Sequence, residues 1–168
     1  MKAPSLALLL LLSIPAAAQS ADAIYQQACG PKDTSFVVEQ VTGQPSATPA
    51  PGKALVYIIQ RESGFHFKTR VGMDGAWAGM VEGNSYIPLT VAPGEHHFCA
   101  ASQDRKHPEA EFVHFTAEAG KVYYYLVHGS AADGSEGPAL TMKFDVVDRD
   151  EALYLIASHL QSVAKPKP

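Results

Sequence analysis

Apolar and polar positions along this chain alternate in short bursts of five to eight residues, the period of strands rather than helices. The exception comes first. Leu6 to Ile14 form one long apolar run behind the single charge of Lys2, and Pro15 ends it before Ala16-Ala17-Ala18. Such a run is short for a bilayer span, and its flanks match a secretory signal peptide over residues 1–18, cleaved before Gln19. Segment 19–35 reads as an arm. Phe36 to Val41 has strand composition, and the proline-rich stretch Gln44 to Gly52 reads as a linker. Residues 19–52 therefore form an arm, a first strand and a linker.

Lys53 to Gln60 is a nearly continuous β-branched and aromatic run, which predicts a central strand buried on both faces. Thr69 to Met73 and Trp77 to Met80 flank Asp74-Gly75, a pair suited to a two-residue hairpin turn. Tyr86 to Val91 follows, and Pro88 within it predicts an edge or a bulge. Pro93-Gly94 predicts a turn into His96 to Ala100. Glu111 to Ala117, Val122 to His128 and Leu140 to Val147 complete the strands, with a polar, glycine-rich loop expected over 129–139. Asp148 to Val163 reads as the one helix. Asp148 caps it, Glu151 completes a capping box, and Ala152, Leu153, Ile156, Leu160 and Val163 make an apolar stripe. Residues 164–168 read as a frayed tail. About seven to nine short strands without βαβ alternation predict an antiparallel β-sandwich over 53–163, carrying one C-terminal helix.

Composition narrows the class without naming an activity. Seventeen acidic against 13 basic residues give a net charge of −4, with both signs scattered. Nothing in that distribution points to nucleic acid or an anionic membrane surface. No second apolar run predicts a transmembrane segment after the leader. Two cysteines, Cys29 and Cys99, predict one disulfide in an oxidising compartment, worth about 4 kcal/mol in chain entropy. The run before Cys29 lacks a lipobox, which argues against a lipid anchor. The expected location is periplasmic or secreted.

Candidate chemistry is sparse. His96 or His97 with His114 and His128 would be the metal-ligating combination, although His96 and His97 are adjacent in a strand and must face opposite ways. The plainer reading of all seven histidines, His66, His107 and His159 included, is ordinary strand and turn hydrogen bonding. No G-x-S-x-G turn precedes a serine nucleophile, and the expected disulfide removes both thiols. The carboxylate pairs Glu109 and Glu111, and Asp145 and Asp148, have spacings common on surfaces. No glycine-rich phosphate loop joins a strand to a helix. No cofactor is expected. Aromatic residues near loop tips are the better clue: Phe65 and Phe67 flank His66, Trp77 follows the hairpin turn, and Tyr123, Tyr124 and Tyr125 run consecutively, so one ring must leave the core. Phe65, Phe67, Trp77 and Tyr124 are the candidate binding residues.

The run Arg70 to Gly79 (RVGMDGAWAG), then Gly83-Asn84-Ser85-Tyr86, then Val91 to His97 (VAPGEHH), resembles a bacterial envelope family known as a domain of unknown function, and is similar to PEGA-type β-sandwich modules. Phe115 to Tyr125 fits the family's next hairpin. The resemblance covers about Lys53 to Leu160. It implies a periplasmic or secreted β-sandwich acting as an envelope accessory. The missing catalytic constellation beside those aromatic residues makes an unknown envelope protein, peptide or glycan the expected partner. The shared motifs are turns and core positions, so they carry no chemistry. The expected function is a non-catalytic binding module; a histidine-based metal protein or a hydrolase is the alternative.

Overall fold

A computed structural model describes residues 20–43, 45–46, 48–62, 66–103, 110–134 and 137–167. The expected signal segment 1–18, Phe65, His107 and Glu109 lie outside these residues. The strand-period segments fold into two facing sheets. One has six strands: β1 (Phe36–Val41), β10 (Leu160–Pro166), β5 (Ser85–Val91), β2 (Ala54–Gln60), β8 (Val122–Gly134) and β9 (Gly137–Val146), in that spatial order. The other has four: β4 (Ala76–Glu82), β3 (Lys68–Met73), β6 (Gly94–Ser102) and β7 (Ala110–Ala117). Helix α1 (Ala21–Ala28) precedes them and α2 (Arg149–Ser158) falls between β9 and β10. The predicted β-sandwich with a helix near its C-terminal end is the fold observed. Most pairings are antiparallel, but β2 runs parallel to β8 and β10 parallel to β5.

All seven residues of β2 are buried, as its unbroken apolar run requires. Val56 and Ile58 face the inter-sheet core with Val71, Phe98, Val127 and Phe144. Leu55, Tyr57 and Ile59 face the other way, beneath Ala152, Leu155 and Ile156 of α2. Tyr125 enters the core, whereas Tyr124 stacks on Tyr57 on the helix side, with ring centroids 5.8 Å apart at 12°. Burial pushes the Tyr57 and Tyr125 hydroxyls up to about 12. Pro88 pairs with Tyr57 of β2, while β10 contacts β5 only at Ser85 and Tyr86. The proline thus sits where the strand's other side has no ladder partner, which reconciles it with an interior strand.

Four expectations are corrected. Segment 19–35 holds α1, capped by Ser20, whose hydroxyl accepts from the Ala23 amide at 3.2 Å. Of the segment expected as a loop over 129–139, residues 129–134 and 137–139 are ladder residues of β8 and β9, paired in register from His128↔Lys143 to Gly134↔Gly137. Ladder bonds from two long strands override the turn-like composition there. The expected helix 148–163 ends at Ser158. Asp148 does cap it, accepting from the Asp150 amide at 2.8 Å, but Glu151 reaches Arg61 at 3.1 Å instead of closing a capping box. His159 turns extended, and β10 pairs with all six residues of β1 from Val41↔Gln161 to Phe36↔Pro166. Leu160 and Val163 are largely exposed, so their helical spacing was coincidental; Ser162 is the buried one, its hydroxyl bonded to Ser85 at 2.8 Å. Residues 164–166, expected as frayed, are ladder residues of β10.

A clamped sheet face as candidate functional site

The four-stranded sheet turns one face to the core. Across the other runs a single row: Trp77 opposite Gly72, Gly72 opposite Cys99, Cys99 opposite Phe112. Helix α1 and the segment after it lie along this row. Cys29 is bonded to Cys99, with Cα atoms 5.6 Å apart. Tyr25 meets Phe112 edge-on at 6.5 Å. The Trp77 indole N–H donates to the Pro31 carbonyl at 2.8 Å. Position 72 must be glycine for this approach, because a Cβ there would lie 2.7 Å from the Cys29 Cα and 2.8 Å from the Cys99 sulfur.

Arg70 holds the end of the clamp. It is 3% exposed, and one guanidinium nitrogen donates to the carbonyls of Lys32 (3.1 Å) and Thr34 (2.7 Å). Its carbon lies 4.5 Å over the Trp77 ring, a cation–π geometry. Lys32 in turn lies 5.1 Å over Tyr25 and pairs with Asp22 at 2.7 Å. Burial raises the Tyr25 hydroxyl above its ordinary range, opposed by the charges of Arg70 and Lys32. The clamp leaves a cleft of about 390 Å³ lined by Tyr25, Gln26, Cys29, Gly30, Pro31, Lys32 and Gly75. That volume falls in the range of small-ligand sites.

The hairpin tip beside the cleft is locked electrostatically. Asp74 (φ 51°) and Gly75 (φ 82°) form the expected positive-φ turn between β3 and β4. Asp74 accepts from the His97 amide at 2.9 Å and lies 2.6 Å from Nδ1 of His96, whose Nε2 faces the Ala92 carbonyl at 2.8 Å. An imidazole can donate to an acceptor at each nitrogen only when it carries both protons, so these two contacts favour the charged form of His96. Burial alone pushes its pKa down, but the Asp74 and Ala92 bonds and the Asp74 charge together carry it upward. His97, on the outer face, stacks on His114 with centroids 4.6 Å apart at 19°.

A second groove, about 570 Å³, lies where β4 and β5 meet β1 and β10. His66 there bridges Glu62 at 2.6 Å and Glu82 at 3.2 Å, and its pKa is raised, by the Glu82 hydrogen bond first and then by the bond and charge of Glu62. Opposite nitrogens of one ring face the two carboxylates, an ion-pair geometry rather than a convergent ligand set. Ser158 lies 3.0 Å from Nδ1 of His159, but its hydroxyl donates to the Leu155 carbonyl and so is not poised as a nucleophile.

The candidate binding residues scatter. Trp77 is half-buried at the clamp, Phe67 is a core residue at 3% exposure, and Tyr124 sits on the opposite sheet under α2. Of the candidate metal combination, His97 and His114 meet; His96 faces inward, and His128 pairs with Asp145 on the other sheet at 2.8 Å. Among the described residues no group of three or more His, Cys, Asp or Glu could hold a metal ion. Sequence reasoning missed Tyr25, Lys32 and Arg70. Ser20 with Asp22 two residues on is an N-terminal helix signal that marks the clamp's start. Nothing local marks Arg70 as a clamp residue, because the carbonyls it bonds lie more than thirty positions away.

No family model, curated protein or solved structure matches this chain.

Proposed function

We propose that this chain is an exported, non-catalytic β-sandwich module of a bacterial cell envelope that binds a partner protein, peptide or glycan through the clamped face of its four-stranded sheet. The observation that carries the reading is the clamp itself: a covalently tethered segment that leaves a cleft of about 390 Å³ against a rigid sheet. Its wall offers an ammonium (Lys32), an amide (Gln26) and an aromatic ring (Tyr25), a mixture suited to peptide or sugar hydroxyls and carbonyls. Export is supported by the signal-like leader and by the disulfide, since such bonds persist outside the cytosol. No described helix is long and apolar enough to cross a membrane.

The test is binding of the purified, oxidised protein to an envelope glycan and peptide array, beside Gln26→Arg and Lys32→Glu variants. The wild-type protein retains a defined component at micromolar strength, and each variant weakens it about tenfold or more at unchanged circular dichroism. Equal retention by all three proteins, or none by any, overturns the reading.

A further inference from the structure

We infer that the ligand of the clamped cleft presents a carboxylate, held by the Lys32 ammonium and the Tyr25 hydroxyl with the charge of Arg70 behind them. The inference rests on the cleft being the binding site and names the chemistry that the cleft takes.

Tyr25 is 7% exposed and lines the cleft, yet its hydroxyl has no hydrogen-bond partner among the described residues. A buried O–H left unbonded costs free energy that a phenylalanine would not. The ring has its own contacts, Phe112 edge-on and the Lys32 ammonium 5.1 Å over its face, and neither uses the hydroxyl. Arg70 repeats the pattern. Its Nε–H is buried and unbonded, and among the described residues no carboxylate pairs with this cation. Two carbonyls and an indole face solvate the guanidinium without neutralising it, and a buried charge is costly unless paired. The charges of Arg70 and Lys32 both reach the Tyr25 hydroxyl. The cleft wall thus holds an unused O–H donor in a positive field.

A carboxylate completes this arrangement. One oxygen accepts from the phenol and the other from the ammonium, both in charge-assisted bonds, and its charge offsets that of Arg70. A neutral carbonyl or hydroxyl would accept from Tyr25 but leave the Arg70 charge uncompensated. Lys32 is available for the exchange. Its pair with Asp22 at 2.7 Å joins side chains 60% and 74% exposed, and such surface pairs hold weakly. Asp22 is therefore an internal competitor, a carboxylate already seated on the ammonium that the ligand needs.

The experiment is NMR titration of the oxidised protein with matched probes. An acetylated dipeptide with a free or an amidated C-terminus forms one pair, and a glucuronate disaccharide with its neutral glucose counterpart forms the other, so that a peptide source and a sugar-acid source are told apart. One acid binds about tenfold or more tighter than its neutral partner, shifts the amides of Gly30, Lys32 and Gly75, and loses affinity as salt rises. Tyr25→Phe and Lys32→Gln each weaken that acid about tenfold or more, and Lys32→Arg restores it. Asp22→Asn tightens it. Tyr25→Phe keeps or raises the melting temperature, which separates lost binding from lost folding. Equal affinity for the acid and neutral members of both pairs overturns the inference. So does inorganic phosphate binding as tightly as either acid, or an acid preference that survives in the Tyr25→Phe, Lys32→Gln double variant. Neutral probes that bind, and are lost in Gln26→Arg, leave the cleft standing without its carboxylate; no binding by any probe or array component removes both.

Discussion

Each sheet of this sandwich has a short helix laid on its outer face, and the two are held by different physics. Helix α2 buries Ala152, Leu155 and Ile156 against Leu55, Tyr57, Ile59 and Leu126 of the six-stranded sheet. Its hold is apolar area, at roughly 25 cal/mol per Å² removed from water. Helix α1 buries only Tyr25 and Ala28, which join Cys29, Cys99 and Trp77 in a far smaller cluster. Its hold is a covalent bond reinforced by Arg70, Lys32 and the Trp77 indole. Isolated helices of eight to ten residues are not stable in water. The comparison teaches that such a helix docks either by burying enough hydrophobic surface or by being stapled down. The stapled one leaves the cleft of about 390 Å³, with Gln26 and Lys32 in its wall, at its interface.

Breaking the staple has the largest expected effect. The pair Cys29→Ser, Cys99→Ser removes a crosslink between residues 70 apart, at a cost of about 4 kcal/mol. Hydrogen exchange resolved by residue should find α1 deprotected while α2 keeps its protection. Equal loss over both helices would mean that the staple serves the whole sandwich and not one face. Next comes Ile156→Ala on the apolar side. Deleting this buried side chain should cost about 2–5 kcal/mol in chemical denaturation, with loosening confined to α2 and β10.

The smallest effect is in pH, where the two faces should respond with opposite sign. The His96 pKa is raised above 6.5, so the Asp74 latch contributes fully below 6.5 and is lost as pH rises through the folded value. The His159 pKa, at the end of α2, is lowered, chiefly by burial. Its neutral form contributes fully above 6.5, and that contribution is lost as pH falls through the depressed value. Protection factors measured on either side of pH 6.5 should therefore fall at the β3–β4 hairpin with rising pH, and at Ser158–Leu160 with falling pH. Asp74→Asn should abolish the first response and leave the second.

The sandwich was legible because strand signals are local: the β2 run, the Asp74-Gly75 turn and the Asp148 cap each reside in a few contiguous residues. The disulfide was legible because two cysteines allow one pairing. Leu160 to Val163 misled because a short stretch satisfies helical and extended patterns equally, and the deciding partner, β1, lies at the other end of the chain. The Trp77 clamp was half legible. Trp77 and Arg70 share one hairpin, but the carbonyl that receives the indole N–H belongs to Pro31, a distant position with no motif linking it to the ring. His97 and His114 were named, yet only the β6–β7 register makes them neighbours and removes His128 from the set.

The ladder joining β1 to β10 sets the order in which this protein can be finished. Among the described residues β1 pairs with β10 alone, 120 or more positions further along, so that edge stays open until both strands are available. Closing so long a loop is slow. That edge is thus a late seam, and the β1–β10 ladder closes after the shorter-range hairpins around it.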